Sequence, residues 1–281
     1  MFFIYGGGFT TGDRSQTPPF NLIHACFGAF FAQRGFITII PDYRLSPEYQ
    51  YPDAAHDVLD SIKWTISNSA ELVLVDSESS LSLDLDSLFI VGHSAGAVHT
   101  VTLFFHEDLV PLDDEIRKRV QGVVLISGPY RLLPGDYASR ALAQAHWGTI
   151  KNAIENSSHS LLIKWFADRD PSSLSSMKLL PEILMVVSEK EPVTISETNS
   201  QYHKMLEWYL GKKVDLIEAK GHNHVTLIYM LSSGHGEEWA DQVATWMREV
   251  MRGDDKVEVS WTHSRWVQNP SVIVFTHSFV C

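Results

Sequence analysis

Cysteine is nearly absent from this chain: Cys26 and Cys281 are the only two in 281 residues. Two cysteines so far apart set up no disulfide framework, so the expectation is a soluble protein of a reducing compartment, the cytoplasm. Positive charge is scarce too. Lys and Arg number 22 against 34 Asp and Glu, a net charge of −12 with no basic stripe, which argues against nucleic acid or an anionic membrane surface as a partner. Long apolar runs are missing as well, since residues 1–5 meet glycines too soon to form a signal peptide or a membrane span. Nor does an internal repeat or a low-complexity linker divide the chain.

What is present is a series of short apolar runs, at 2–5, 36–40, 88–91, 120–126, 183–187 and 214–217. The intervals between them leave room for helices, the pattern of a parallel sheet covered on both faces. Residues 21–33 carry apolar side chains at helical spacing and stop at Gly35, 53–67 open after Pro52, and 237–251 read as a closing helix. This alternation predicts one α/β domain over 1–252. Residues 77–86, rich in Ser, Asp and Leu, read as a surface loop. Residues 130–178 interrupt the alternation with a mostly helical, cap-like insertion whose Trp147, Trp165 and Phe166 are expected to roof a site. A tail over 253–281 follows, with two strand-like stretches, KVEVSWTH and SVIVFTHSF.

The run 88–91 leads into Gly92-His93-Ser94-Ala95-Gly96 and then into a helical pattern. Small residues around a serine at a strand-to-helix junction allow a turn so sharp that the hydroxyl projects from the sheet's carboxyl edge. A serine hydroxyl is a poor nucleophile unless a base takes its proton, so a histidine and an acid are required further along the chain. Of the 13 histidines, His224 lies in the loop after the last predicted strand, where a side chain returns to that edge. His222, two residues earlier, is the rival and points elsewhere in an extended loop. A metal site built from these two and His235 is disfavoured, because no cysteine or carboxylate cluster accompanies them. The loop SEKEP offers Glu189 and Glu191 as the acid; Asp168 and Asp170, in the insertion, read as surface groups. Finally, the stretch YGGGFTTG at 5–12 presents backbone amides unshielded by side chains, as an oxyanion hole requires.

Together these residues resemble the α/β-hydrolase superfamily, and within it the hormone-sensitive-lipase-like (fold-3) esterases. The resemblance rests on Gly6-Gly7-Gly8-Phe9, DYRLSPE at 42–48, GHSAGA at 92–97, Glu191-Pro192 and GHNH at 221–224. It implies Ser94 as nucleophile, His224 as base, and the amides of Gly7, Gly8 and Ala95 as the oxyanion hole. It also selects Glu191, since the acid of this branch precedes a proline. The implied activity is hydrolysis of carboxylic esters through an acyl-enzyme, with neither cofactor nor metal. The aromatic residues of the insertion and the lack of an obvious cationic clamp point to neutral, modest acyl esters or aryl amides as substrates. GHSAGA and LISGPYRL are also similar to kynurenine formamidase-like hydrolases, which makes an acylamide the alternative substrate. A non-catalytic receptor like the plant gibberellin receptors is a further alternative, as is an inactive, truncated chain. The family usually has His at the place of Tyr5, Asp at the place of Glu191, and two strands with cap helices upstream. The N-terminally truncated arrangement leaves 36–40 at a sheet edge, where self-association is expected. Asp42, Tyr43 and Arg44 are expected to form a structural turn, and His93 to stand beside Ser94.

Overall fold

Five strands fix the frame of the computed structural model, which describes residues 1–72, 83–167, 169 and 179–253. They are β1 (Phe2–Ile4), β2 (Leu88–His93), β3 (Val120–Ile126), β4 (Glu182–Lys190) and β5 (Asp215–Asn223), side by side in that order with every neighbouring pair parallel. Parallel neighbours need a crossover between them, and helices supply it. Between β1 and β2 lie α1 (Ile23–Ala32), α2 (Asp53–Ser67) and α3 (Ser69–Leu72); α4 (Ala95–Phe105) and α5 (Glu115–Arg119) precede β3. Then come α6 (Tyr137–Trp147), α7 (Ile150–Glu155) and α8 (Ser158–Ala167) before β4, α9 (Val193–Leu210) before β5, and α10 (Thr226–Tyr229) and α11 (Glu238–Arg252) after it. The α/β class expected from the alternation is the one observed.

Every residue of β2 is buried, as its unbroken apolar run requires of a strand covered on both faces. On one side α1 seats on β1 by stacking Phe27 on Phe3 at 3.8 Å. The end of α1 is tied to α11, where Arg34 donates to Asp241 at 2.6 Å and Arg248 donates to the Arg34 carbonyl at 3.0 Å. On the other side α4 packs against α2 and α8. Truncating a ring such as Phe27 to alanine would cost roughly 3–5 kcal/mol. Within the insertion the helices start where side chains cap them: Asp136 accepts from the Ser139 amide at 3.0 Å and Thr149 from the Asn152 amide at 3.1 Å. Among the described residues no helix is long and apolar enough to cross a membrane.

Three expectations need correction. The run 36–40 does not form a ladder strand. Only an isolated parallel bridge joins Ile39 to Phe2, with the Phe3 amide donating to the Ile39 carbonyl at 2.8 Å and the Ile39 amide to Met1 at 2.9 Å. Its neighbour β1 has 3 residues, too few to pair along a longer run, although the segment does lie at the sheet edge. Second, β4 and β5 extend past the apolar runs: in β4 the run marks the covered middle, with the ends at Glu182, Glu189 and Lys190 exposed, while in β5 it marks only the start, where Leu216 is exposed. Third, the insertion's rings turn inward: Trp165 and Phe166 are buried in the main core, and Trp147 packs in a small second core with Phe9, Ala95 and Val98. Residues 77–82, Asp168, Asp170 and the tail from 254, with Cys281, lie outside the described residues.

Candidate active site

Ser94 stands between β2 and α4 with φ 54° and ψ −119°. An L residue takes that left-handed conformation only when its surroundings impose it. The Ser94 amide donates to the Ile126 carbonyl at the end of β3 at 2.8 Å, and two residues later the chain passes close over β1. A Cβ on Gly96 would stand 2.0 Å from the Ile4 carbonyl oxygen, so glycine alone lets α4 begin there.

His224 follows β5 directly. Its Nε2 lies 3.0 Å from Ser94 Oγ and its Nδ1 lies 3.0 Å from Glu191 Oε2. An ionised carboxylate only accepts, so Nδ1 carries the proton and Nε2 is left to accept from the Ser94 hydroxyl. Glu191 is the first residue after β4, and its side chain is 2% exposed. Its other oxygen, Oε1, accepts from the Ser127 hydroxyl, from the Ser188 hydroxyl at 2.5 Å and from the Ser188 amide at 3.3 Å. Burial pushes the Glu191 carboxyl up, but the hydrogen bonds from His224, Ser127 and Ser188 outweigh it and hold the group below the usual glutamate range.

His93 supports the loop from below. Burial, reinforced by neighbouring His224, drives its ring down to about 3, so it is neutral and donates Nε2–H to the His224 carbonyl at 2.9 Å. The glycine stretch closes on itself. Both the Thr11 amide, at 3.0 Å, and the Thr11 hydroxyl, at 2.8 Å, donate to the Gly7 carbonyl, and a Cβ on Gly7 would lie 1.9 Å from the Thr11 carbonyl oxygen. The Gly7 and Gly8 amides find no protein acceptor among the described residues, and Ala95 heads α4, where an amide has no intrahelical partner. Gly7 and Gly8 line a cleft of about 500 Å³ together with Ser94 and His224.

Tyr5 anchors this stretch in a way the sequence leaves open. Its hydroxyl donates to Asp42 at 3.0 Å, its carbonyl accepts from the Tyr43 hydroxyl at 2.7 Å, and its ring stacks on Tyr43 and His24. Asp42 also accepts from the Arg14 amide at 2.9 Å and the Arg14 guanidinium at 2.6 Å. Arg44 pairs with Asp57 at 2.9 Å, so 42–44 hold the loop rather than line the cleft.

Of the residues singled out in the sequence, Ser94, Glu191, His224, Gly7, Gly8 and Ala95 come together. His222 turns away, its Nε2 2.7 Å from the Gly236 carbonyl, and Glu189 accepts from the Gly221 amide at 2.8 Å. Sequence reasoning missed Ser127 and Ser188; the one available signal is that each is a polar residue ending the buried run of a strand. It also misplaced the walls. Among the described residues the cleft is lined by 6–8, the segment 11–17, His24, His93 and the 224–229 region, with nothing from the insertion. No group of three or more His, Cys, Asp or Glu among the described residues is placed to hold a metal ion.

A parallel sheet that ends a central strand in such a serine elbow has the form of an alpha/beta hydrolase, and comparison with known families agrees. The family model described as the alpha/beta hydrolase fold matches residues 1–228, and the chain belongs to that family. It is 26% identical over 259 residues to the Arabidopsis thaliana protein named probable carboxylesterase 2, covering 89% of this chain and 76% of that one. It is 26% identical over 184 residues to the versiconal hemiacetal acetate esterase of Dothistroma septosporum, covering 64% of this chain and 50% of that one. A solved esterase from Pyrobaculum calidifontis superposes with a TM-score of 0.62 at 20% identity over 88% of this chain and 75% of its own, a likeness of fold. These relatives set the chain among the esterase-type alpha/beta hydrolases.

Proposed function

We propose that the protein hydrolyses carboxylic esters through an acyl-enzyme formed on Ser94. His224 Nε2 takes the Ser94 proton as Oγ attacks the ester carbonyl, and the amides of Gly7, Gly8 and Ala95 receive the oxygen that gains charge. As the tetrahedral adduct collapses, His224 returns the proton to the departing alcohol. Water then attacks the acyl-enzyme, with His224 again as base, releasing the acid and restoring Ser94. Glu191 holds the histidine with its proton on Nδ1 and stabilises the imidazolium that forms. No step calls on a cofactor.

The observation that carries this reading is the unbroken hydrogen-bond chain from Glu191 through His224 to a serine held at a strained elbow. Each oxyanion donor of such a site contributes about 3 kcal/mol to the transition state. The reading is tested by treating the protein with a fluorophosphonate and following p-nitrophenyl acetate hydrolysis. Labelling on Ser94, and loss of labelling and turnover in Ser94→Ala, are expected. A protein that neither labels nor turns over ester would be a binding protein on the hydrolase fold.

A further inference from the structure

The wall of the cleft beyond Ser94 carries polar groups that the proposed chemistry does not use. On the His224 side it runs along Val225, Ile228 and Tyr229, and Gln16 and His24 are part of the same lining. The Tyr229 hydroxyl and Gln16 Oε1 are 3.1 Å apart, which fixes the amide and leaves Gln16 Nε2 with two hydrogens and no protein acceptor among the described residues. His24 is buried, with Nδ1 3.1 Å from the Arg14 carbonyl. The ring also meets the Asp13 carbonyl; a neutral imidazole carries one ring proton, so with that proton on Nδ1 facing a carbonyl, Nε2 keeps a lone pair. Burial holds this imidazole below its ordinary value, so the lone pair persists at neutral pH.

One donor and one acceptor in the lining of the same cleft suit a hydroxyl group, which accepts and donates at once. Asp13, also in the lining, sets a negative charge against any anionic substituent. The leaving oxygen has to come within reach of His224 Nε2 to take its proton, so the alcohol projects along the wall that begins with Val225. We infer that the leaving alcohol of the substrate is neutral and bears a further hydroxyl group, recognised by Gln16 Nε2 and His24 Nε2. This inference rests on the ester-hydrolase reading above.

The test compares glyceryl 1-monoacetate with n-propyl acetate, which share an acyl group and a three-carbon alcohol, by pH-stat titration. The wild-type kcat/KM should favour the glyceryl ester by about tenfold or more, the discrimination expected when an analogue leaves site groups unpaired. Gln16→Leu and His24→Phe should each bring that ratio towards one; because it is a ratio, it does not depend on how much of each variant is active. A wild-type ratio near one, or a ratio unmoved in both variants, overturns the inference while Ser94 labelling and turnover keep the hydrolase reading intact. Failure of labelling with turnover of neither ester overturns that reading and the inference with it.

Discussion

Two groups of histidines flank the glycine stretch, and they differ in what their nitrogens do. On the cleft side, His224 has both ring nitrogens in hydrogen bonds, to Ser94 and Glu191, and His93 braces it through its carbonyl. On the far side, His146 stacks on Phe9 at 4.3 Å and its ring lies 5.3 Å from that of His99. His146 Nδ1 meets the Ser46 hydroxyl at 3.0 Å, but the Nε2 atoms of both far-side histidines are buried with no protein partner among the described residues. Burial pushes His146 down to about 3 and His99 well below the ordinary value. The same residue type thus stands between a carboxylate and a hydroxyl on one side, the setting that the proposed proton transfer needs, and is a neutral packing ring among aromatic side chains on the other.

The sharpest break of this comparison is expected from the cleft side. Ser94→Ala or His224→Ala should lower kcat for an ester by about 10⁴-fold or more, each costing as much as both together, since the two act as a unit. His146→Phe, which keeps a ring against Phe9, should stay within a few-fold of wild type. If His146→Phe proved as damaging as His224→Ala, the two groups would not be functionally distinct.

A second, smaller effect comes from the serines behind Glu191. Removing both hydroxyls in a Ser127→Ala, Ser188→Ala double variant takes away two of the bonds that hold the carboxylate ionised, so its pKa should rise and its hold on His224 weaken. A fall in kcat of about 10- to 100-fold, at the scale of one or two charge-assisted bonds, with KM little changed, is the expected result. Unaltered kcat would mean that the Ser188 amide and His224 suffice to orient Glu191.

The far-side group is sharpened by acid. A histidine whose folded pKa lies below its unfolded value binds fewer protons when folded, so stability is complete above about pH 6.5 and is lost as pH falls towards the folded value. For His146, with a folded value of about 3, the loss at pH 5 amounts to about 2 kcal/mol. Urea unfolding at pH 7 and pH 5 should show that penalty in the wild-type protein, and His146→Phe should shrink the difference by about that amount. An equal pH 7 to pH 5 difference in the two proteins would remove His146 from the acid response and leave it to the other histidines that burial lowers, His93 and His99 among them.

What the sequence discloses of all this depends on how local the constraint is. The elbow is legible because Gly96 and Ser94 meet their requirement within a few residues of chain, and the crossover helices are legible because burial imposes a period on them. Ser127 and Ser188 are not. Each acquires its role only when β3 and β4 pair and bring both hydroxyls to one carboxylate oxygen, a relation with no trace in either segment alone. The insertion misleads for a different reason: an aromatic ring contributes the same pattern whether it lines a cleft or fills a core, and Trp165 and Phe166 fill the core. Likewise 36–40 has the composition of a strand, but pairing needs a partner of matching length, and β1 ends at Ile4.

The smallest effect tests what couples the two histidine groups, namely the glycine stretch between them. Tyr5 is its cleft-side anchor and Phe9 its far-side one. In Tyr5→Phe the ring remains stacked on Tyr43 and His24, while the bond from the hydroxyl to Asp42 is lost. Asp42 keeps both contacts with Arg14, so the loop should loosen rather than collapse. The cost is expected to be that of one hydrogen bond, about 1 kcal/mol, or a few-fold in equilibrium. Because the Gly7 and Gly8 amides are proposed to act on the transition state, that loss should appear in kcat, with KM nearly constant, while the acid dependence set by His146 stays as in the wild type. A change confined to KM would place Tyr5 on the binding side of the loop, and a shifted acid dependence would show that the two groups are linked through it.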